Sequence, residues 1–232
     1  MTANMHAFES GAALAAGLAD TVTAALSAAI AARGTASIAV SGGSTPKAFF
    51  EALSSRSLDW TKVVITLVDE RFVPVDNPRS NHLLVNQHLL KNNAAAATFL
   101  PLYQPAADAE KAALIATEET KSVGNPFDIV ILGMGGDGHT ASFFPGGSNL
   151  AKALDPSTPR GIITMEAEGA GEPRLTFTFA SLQDARLLVL HIEGESKKDV
   201  LAKAESAGEE TEMPIRAILR RAASPVEIYW AP

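Results

Sequence analysis

The chain has 232 residues, of which 47% are hydrophobic and 19% charged; it can therefore bury a sizeable core, and its composition is not that of a disordered chain. Its formal net charge of −7 argues against a nucleic-acid-binding protein, which normally presents a basic face, but not against an anionic substrate held by a local cluster of cations. The lack of cysteine excludes disulfides, thiolate nucleophiles and cysteine metal sites.

The first predicted element is a long apolar helix over residues 8–32. Its larger apolar side chains recur every four residues and so lie along one face, namely Leu14, Leu18, Val22, Leu26 and Ile30. Gly34 is typical of a helix end. Alanine supplies most of the hydrophobicity and no Lys or Arg precedes Arg33, which disfavours both a membrane span and a secretory signal. We therefore expect a helix of a soluble, cytoplasmic protein.

Strands and helices alternate along the rest of the chain. Strands are predicted over residues 37–40, 63–68, 127–132, 162–165, 175–179, 186–192 and 226–230. Helices are predicted over residues 46–53, 80–90 and 106–122, after Gly194, and from near Pro214. This alternation predicts a Rossmann-like α/β fold with a largely parallel sheet and helices on both faces. We expect a single domain over residues 1–232, with the loop-rich stretch 147–172 as an insertion within it.

Three polar segments follow predicted strands, at residues 41–45, 69–71 and 133–139. In open α/β sheets, ligands bind beyond the carboxyl ends of the strands. We therefore expect the three segments to meet at one edge of the sheet and to form a binding site there.

The first segment, SGGST, lies between a strand and a helix. Backbone N–H groups at such a helix N-terminus favour an anion, as does the helix dipole. Gly42 and Gly43 permit a close approach of the backbone, and Ser44 and Thr45 add hydroxyl donors. The alternative is an ordinary capped turn. The segment is not a Walker A loop, because no Gly-Lys-Ser/Thr follows at the required spacing.

Residues 133–138 read GMGGDG and formally match the fingerprint G-x-G-x-x-G. A dinucleotide site is disfavoured, because that fingerprint must open a helix and Pro145 follows soon after, and because no acidic residue closes a strand about 20 residues further on. We expect the loop to shape a pocket around Asp137 and His139. Imidazole titrates near neutral pH, so His139 is the best candidate for a general base, with Asp137 to orient it. The alternative is a solvated turn.

The charged residues near strand ends are open to two interpretations. Asp69, Glu70 and Arg71 form either a structural ion pair or a substrate site, in which Arg71 contacts the substrate and Asp69 its hydroxyls. Arg174 and Lys197 either bind a phosphate, as a bidentate group and a point charge respectively, or are solvated surface charges.

The other histidines carry less information. His82 and His88 lie six positions apart and do not share a helix face as metal ligands would, and His191 lies in an apolar strand as a packed core residue. Ser44 is not part of a G-x-S-x-G elbow. No metal-ligand spacing is present in the sequence, so we predict no metal and no other cofactor.

Several motifs together resemble one known family. They are SGGSTP at 41–46, DER with VP at 69–74, SN at 80–81, LGMGGDGHTASFFPG at 132–146, PRLT at 173–176 and GESK at 194–197. With these motifs in order, the chain from about residue 36 to residue 230 resembles the 6-phosphogluconolactonases, which form one family with the glucosamine-6-phosphate isomerases. The segment containing GDGHTAS is highly specific, and the GGSTP turn is moderately so.

The resemblance implies a fold shared with glucosamine-6-phosphate deaminases. It implies metal-free hydrolysis of 6-phosphogluconolactone to 6-phosphogluconate, in the oxidative pentose phosphate or Entner-Doudoroff route. His139 would be the base, with Asp137 and Arg71 lining the site. The phosphate would be held by Gly42, Gly43, Ser44, Thr45, Arg174 and Lys197. The expected partner is a small phosphorylated sugar lactone, with no nucleic acid and no membrane, and the expected state is a monomer or a weak homo-oligomer.

Two alternatives share this fold. A deaminase resembles this pattern but has an acidic residue before the proline that follows its DGH motif, and a tyrosine after its Asp-Glu pair. Phe144 and Arg71 occupy these positions here, which favours lactone hydrolysis. A sugar-phosphate-sensing regulator would need a DNA-binding module, and no basic helix-turn-helix precedes residue 36. Gly136 departs from the proline found in many lactonases, which puts the rigidity of that loop in question.

Overall fold

The structure is a computed structural model that describes residues 3–232. These residues form ten strands: β1 (Ala3–Ala7), β2 (Ala36–Val40), β3 (Val63–Leu67), β4 (Asp69–Arg71), β5 (Thr98–Leu100), β6 (Ile129–Leu132), β7 (Ile162–Met165), β8 (Arg174–Phe177), β9 (Leu187–Glu193) and β10 (Val226–Ala231). They also form eight α-helices: α1 (Gly11–Arg33), α2 (Lys47–Ser54), α3 (Asn81–His88), α4 (Ala109–Thr120), α5 (Leu150–Leu154), α6 (Phe179–Leu182), α7 (Glu195–Glu205) and α8 (Ile215–Arg221).

The strands form two sheets of different kinds. Seven strands make the main sheet in the order β1-β10-β9-β6-β2-β3-β5, and every neighbouring pair is parallel. The other three make a small antiparallel sheet in the order β4-β8-β7. The predicted α/β class with a largely parallel sheet is therefore confirmed, and the antiparallel sheet is an addition to it.

The central strands are apolar because both of their faces are covered. β2 and β6 are buried along their whole length, and their side chains Ile38, Val40, Ile129 and Ile131 have no exposed surface. A strand buried on both faces has an apolar run instead of an alternating pattern. This explains why the runs predicted at 37–40 and 127–132 correspond to the middle of the sheet.

Helix α1 packs on this sheet through its four-residue stripe. Leu14, Leu18, Val22 and Leu26 are fully buried, and α1 contacts β2, β6 and β10. Gly34 ends the helix in the left-handed region, with φ of 81°, as predicted. The helix is long and apolar enough to cross a membrane by length and composition alone. Its buried stripe is what a core helix of a soluble protein requires.

The sequence interpretation was wrong for residues 69–71. We expected Asp69, Glu70 and Arg71 to close the strand that begins at Val63, but β3 ends at Leu67 and the three residues form β4 in the other sheet. The chain changes sheet at Val68, whose N–H donates to the Val40 carbonyl while its own carbonyl accepts from the Phe177 amide. One residue thus pairs with both sheets.

Two further strands and several element ends differ from the predictions. β1 and β5 lie at the two edges of the main sheet and were not predicted. The helix predicted at 106–122 begins only at Ala109, after the capping carboxylate of Asp108. The strand predicted at 175–179 ends at Phe177, and α6 follows. The 147–172 stretch contains α5 and β7, and its description as an insertion within one domain stays a prediction.

The strand order creates a crevice between β2 and β6. From β2 the chain passes through α2 to β3 on one side, whereas β6 leads on to β9 on the other side. Because the connections diverge, the loops that follow β2 and β6 leave a gap at the carboxyl edge of the sheet. Ligands of open α/β sheets bind at such switch points.

Candidate active site

A cavity of about 310 Å³ opens at this crevice. Its walls come from the loops after β2 and β6, from β4 and β8 of the small sheet, and from the start of α7. All predicted site residues except Asp137 line it: Gly42, Gly43, Ser44, Thr45, Asp69, Arg71, His139, Arg174 and Lys197. The three separated polar segments therefore do meet at one edge of the sheet.

His139 is held by Asp137 in a tight turn. Asp137 Oδ1 lies 2.6 Å from His139 Nδ1 and also accepts from the His139 amide at 3.1 Å. The turn is closed by the Gly135 amide, which donates to the His139 carbonyl at 2.8 Å. A carboxylate only accepts hydrogen bonds, so Nδ1 carries the proton and Nε2 is left with a free lone pair. The imidazole therefore has the tautomer that a base needs.

Asp137 stays ionised in this turn. Burial raises the pKa of its carboxyl, but the amide and imidazole of His139 outweigh burial and hold that pKa below its ordinary value. The neighbouring Gly135 must lack a side chain, because a Cβ there would lie 2.1 Å from His139 Nδ1 and 2.6 Å from Asp137 Oδ1. Gly135 of the GMGGDG motif thus makes room for the Asp–His pair.

The Phe144 ring forms the other side of the base. It packs at a tilt against the His139 imidazole, with centroids 4.5 Å apart and 35° between the planes, and the Arg174 guanidinium lies 5.3 Å from the centre of the same ring. Phe144 is buried but reaches the cavity wall. From the sequence, Phe144 was noted only because it is not an acid, and its packing between base and cation was not foreseen.

The turn at 43–45 presents free amides to the cavity. Among residues 3–232, the N–H groups of Gly43, Ser44 and Thr45 have no hydrogen-bond acceptor. Gly43 has φ of 96°, in the left-handed region, and α2 begins two residues after the turn. Unpaired amides at a helix N-terminus are a binding site for an anion such as a phosphate.

Two cations approach the cavity from different elements. Lys197 lies in the first turn of α7, and its Nζ donates to the Met134 carbonyl at 2.7 Å. Arg174 is only 6% exposed, so its interpretation as a solvated surface charge is wrong. Burial lowers the pKa of the Arg174 guanidinium, Asp69 opposes that shift, and Arg71 adds to it. The nearest Asp69 oxygen is 3.9 Å from Arg174 Nη1.

Asp69, Glu70 and Arg71 have separate partners. Asp69 accepts from the Ser142 hydroxyl at 2.6 Å and lines the cavity. The Arg71 guanidinium donates to the Asn81 side chain at 3.1 Å and to the Arg79 carbonyl. The expected ion pair within residues 69–71 is therefore not formed. Asp69 pairs across the small sheet with Arg174 instead.

Glu70 points away from the cavity and fixes the start of α3. Its carboxylate accepts from the amides of Arg71, Asn81 and His82 at 2.7 Å each, and from the Ser80 hydroxyl at 3.1 Å. The side chain is fully buried. Burial raises the pKa of Glu70, while the three amides oppose the rise. This carboxylate thereby joins β4 to α3 beside the site.

Besides Phe144, the polar side chains of Asn81 and His191 line the cavity although neither was predicted as a site residue. Asn81 was part of the SN motif but received no role, although it contacts Arg71 directly. His191 is buried as predicted, with Nε2 3.0 Å from a Glu193 oxygen, but it also lines the cavity. In the sequence, the only signal for Asn81 was its place in the SN motif at 80–81. No group of three His, Asp or Glu side chains within residues 3–232 has the spacing of a metal site.

Comparison with known proteins gives one consistent match. The family model described as Glucosamine-6-phosphate isomerases/6-phosphogluconolactonase matches residues 9–230. The chain is 72% identical to the 6-phosphogluconolactonase of Rhizobium meliloti (strain 1021), over 100% of both sequences. It superposes on a crystal structure of a 6-phosphogluconolactonase from Shewanella baltica OS155 with a TM-score of 0.95 and 39% identity, covering 99% of this chain and 98% of that one.

The fold is also found in a second enzyme class. A monomeric glucosamine-6-phosphate deaminase superposes with a TM-score of 0.78 at 17% identity, covering 98% of this chain and 97% of that one. At this identity the match concerns the fold alone. The family resemblance and the fold shared with deaminases, both predicted from the sequence, are confirmed.

Proposed function

We propose that this chain, which belongs to the glucosamine-6-phosphate isomerase/6-phosphogluconolactonase family, hydrolyses 6-phosphogluconolactone to 6-phosphogluconate with a water molecule activated by His139. The proposal rests on the Asp137–His139 pair at 2.6 Å beside a cavity that the 43–45 turn, Arg174 and Lys197 also line. The pair supplies a base with a free Nε2, and the cavity supplies a place for a phosphate.

The phosphate binds away from the reacting carbon. The N–H groups of Gly43, Ser44 and Thr45 donate hydrogen bonds to the phosphate oxygens. Arg174 and Lys197 neutralise the phosphate charge. The Asp69 carboxylate accepts from a sugar hydroxyl. Because these contacts do not involve the lactone bond, their binding energy serves to hold the carbonyl near His139.

Hydrolysis then proceeds in two steps. His139 Nε2 takes a proton from water, and the water oxygen attacks the lactone carbonyl carbon, whose π electrons move onto the carbonyl oxygen. Arg71, or amides of the loops, stabilise that oxyanion. When the intermediate collapses, the bond between the carbonyl carbon and the ring oxygen breaks. The imidazolium returns its proton to the ring oxygen, which becomes a hydroxyl group, and the base is regenerated.

The surroundings of His139 favour this reaction over deamination. Ring opening and isomerisation of an amino sugar need an acidic group that moves protons, whereas the group packed against His139 is the Phe144 ring. A phenyl ring cannot transfer a proton. We propose that the enzyme acts in the cytoplasm, as a monomer or weak homo-oligomer, in the oxidative pentose phosphate or Entner-Doudoroff route.

A paired assay tests the function. The lactone is generated in situ by oxidation of glucose 6-phosphate, and acid release is followed above the spontaneous rate. In parallel, ammonia release from glucosamine 6-phosphate is measured with the same enzyme preparation. We expect fast acid release and no ammonia. Ammonia release together with a spontaneous rate of lactone opening would replace this function by that of a deaminase.

A further inference from the structure

We infer that Asn81 is a positioning residue for this reaction, acting on the lactone through the guanidinium of Arg71. The inference rests on the proposed lactone hydrolysis. Asn81 lines the cavity but is only 2% exposed. Its side chain joins three parts of the site that are far apart in sequence: β4, the start of α3, and the anion-binding turn after β2.

The side-chain amide of Asn81 is fixed in one orientation by its partners. Its Oδ1 accepts from Arg71 Nη1 at 3.1 Å, and its Nδ2 donates to the Asp69 carbonyl at 2.9 Å. A guanidinium can only donate and a carbonyl can only accept, so the amide cannot flip without losing both bonds. Asn81 thus presents a rigid acceptor to Arg71.

The backbone of Asn81 is equally constrained. Its N–H donates to a Glu70 oxygen at 2.7 Å, and Ser80 caps the helix by accepting from the Leu83 amide at 3.2 Å. Because Glu70 precedes Arg71 directly, β4 and α3 form one unit. The Asn81 side chain therefore stays in one position and holds the Arg71 guanidinium in place.

Arg71 depends on this acceptor for its direction. Its Nη1 donates to Asn81 Oδ1 and to the Arg79 carbonyl. Of these two partners, Arg79 is an exposed loop residue. The Nε of Arg71 is buried without a partner. In the described part of the chain Nη2 also has no acceptor but, unlike Nε, it is not buried, and because Arg71 lines the cavity Nη2 is the accessible donor for an oxyanion there. Without Asn81, a long flexible side chain would lose its one buried anchor.

Asn81 also touches the anion-binding turn. A Cβ on Gly42 would lie 1.9 Å from Asn81 Oδ1, so the turn packs directly against the amide that holds Arg71. Asn81 therefore contacts both the turn and Arg71. In this way it fixes the distance between the turn, which binds the phosphate, and Arg71, which binds the lactone carbonyl oxygen.

A double-mutant cycle of Asn81→Ala with Arg71→Ala tests the inference by acid release from the lactone. Arg71→Ala alone should lower kcat about 10²–10³-fold, as the loss of an oxyanion donor does. Asn81→Ala alone should lower kcat about 10–100-fold, as expected for a misplaced group, and change KM little. In the Arg71→Ala background, Asn81→Ala should lower kcat by less than about threefold, because nothing remains to be positioned.

Asn149→Ala is the matched control. Asn149 is half-buried and donates from Nδ2 to the Thr164 carbonyl at 3.0 Å, outside the cavity. Its removal deletes a similar hydrogen bond and should leave kcat unchanged. If Asn81→Ala does not fold, Asn81→Ser replaces it in the cycle, since its shorter side chain cannot reach both partners.

The outcomes separate the inference from the proposed function. Equal kcat losses from Asn81→Ala with and without Arg71, or an unchanged kcat in Arg71→Ala, would overturn the positioning role while the wild-type enzyme still hydrolyses the lactone. A wild-type enzyme that does not accelerate lactone opening at all would overturn the function, and the inference with it.

Discussion

The imidazole of His139 and the phenyl ring of Phe144 lie in tilted contact, with centroids 4.5 Å apart and 35° between their planes, so the base is held on one side by a carboxylate and on the other by an apolar ring. Asp137 fixes Nδ1, while Phe144 restricts rotation of the ring. A base that acts on one water needs both constraints, because a hydrogen bond through Nδ1 alone leaves the imidazole free to swing about that bond.

Phe144→Leu should reduce activity more than stability. Leucine keeps an apolar side chain in the wall but loses the ring that packs against His139, so we expect kcat/KM to fall about 3–10-fold, in proportion to an aromatic-pair energy of roughly 1 kcal/mol. The matched control is Phe127→Leu, which deletes another buried aromatic pair, with Phe177 at 5.4 Å. Urea unfolding should show similar destabilisation of both variants. Equal kcat/KM in both would argue against a role for the contact between Phe144 and His139.

His139→Ala should abolish most of the turnover and leave binding intact. A general base contributes about 10²–10⁴-fold in rate, and none of the proposed phosphate contacts involves His139. Acid release gives kcat, and titration calorimetry with 6-phosphogluconate gives the affinity. Normal turnover in this variant would remove His139 from the mechanism, whereas a lost affinity would assign it to binding.

The pKa of Asp137 predicts a pH-dependent contribution to stability. Its carboxyl has a lower pKa in the folded state than when unfolded, so its contribution is present above the unfolded pKa, about 4, and is lost as the pH falls through the folded pKa. The gap in unfolding free energy between wild type and Asp137→Asn should therefore shrink from pH 5 toward pH 3. Because the side chain is 49% exposed, the gap should stay below about 1 kcal/mol. Urea unfolding across this range measures it, and a gap independent of pH would contradict the assignment.

Lys197→Ala should weaken the binding of phosphorylated ligands selectively. A charge-assisted hydrogen bond is worth about 1.5–3 kcal/mol, so the Kd of 6-phosphogluconate should rise roughly 10–150-fold, with no matching change for gluconate. The adjacent Lys198→Ala is the control, since its ammonium lies 3.8 Å from the Trp230 ring centre and does not line the cavity. Comparable weakening for both ligands would place Lys197 elsewhere than at the phosphate.

Features that depend on short stretches of chain could be predicted from the sequence alone. The four-residue stripe of α1, its end at Gly34, and the apolar runs of β2 and β6 all arise from periodicity or from local backbone geometry. The glycine-rich turns mark where the chain leaves a strand, so the polar segments could be assigned to one edge of the sheet. The edge strands β1 and β5 were not predicted, because β1 is exposed along its whole length and so has no buried apolar run, and β5 has only three residues.

Which of these segments touch depends on the tertiary structure. The local pattern does not specify the spatial order of the elements that are joined by the change of sheet at Val68, the burial of Arg174, the packing of Phe144 against His139 and the bond from Arg71 to Asn81. Each depends on packing many residues at once, and a side chain between two possible partners takes the one that the packing brings close. Residue types and local spacing indicate what a group can do, whereas its position beside a partner is a property of the whole fold.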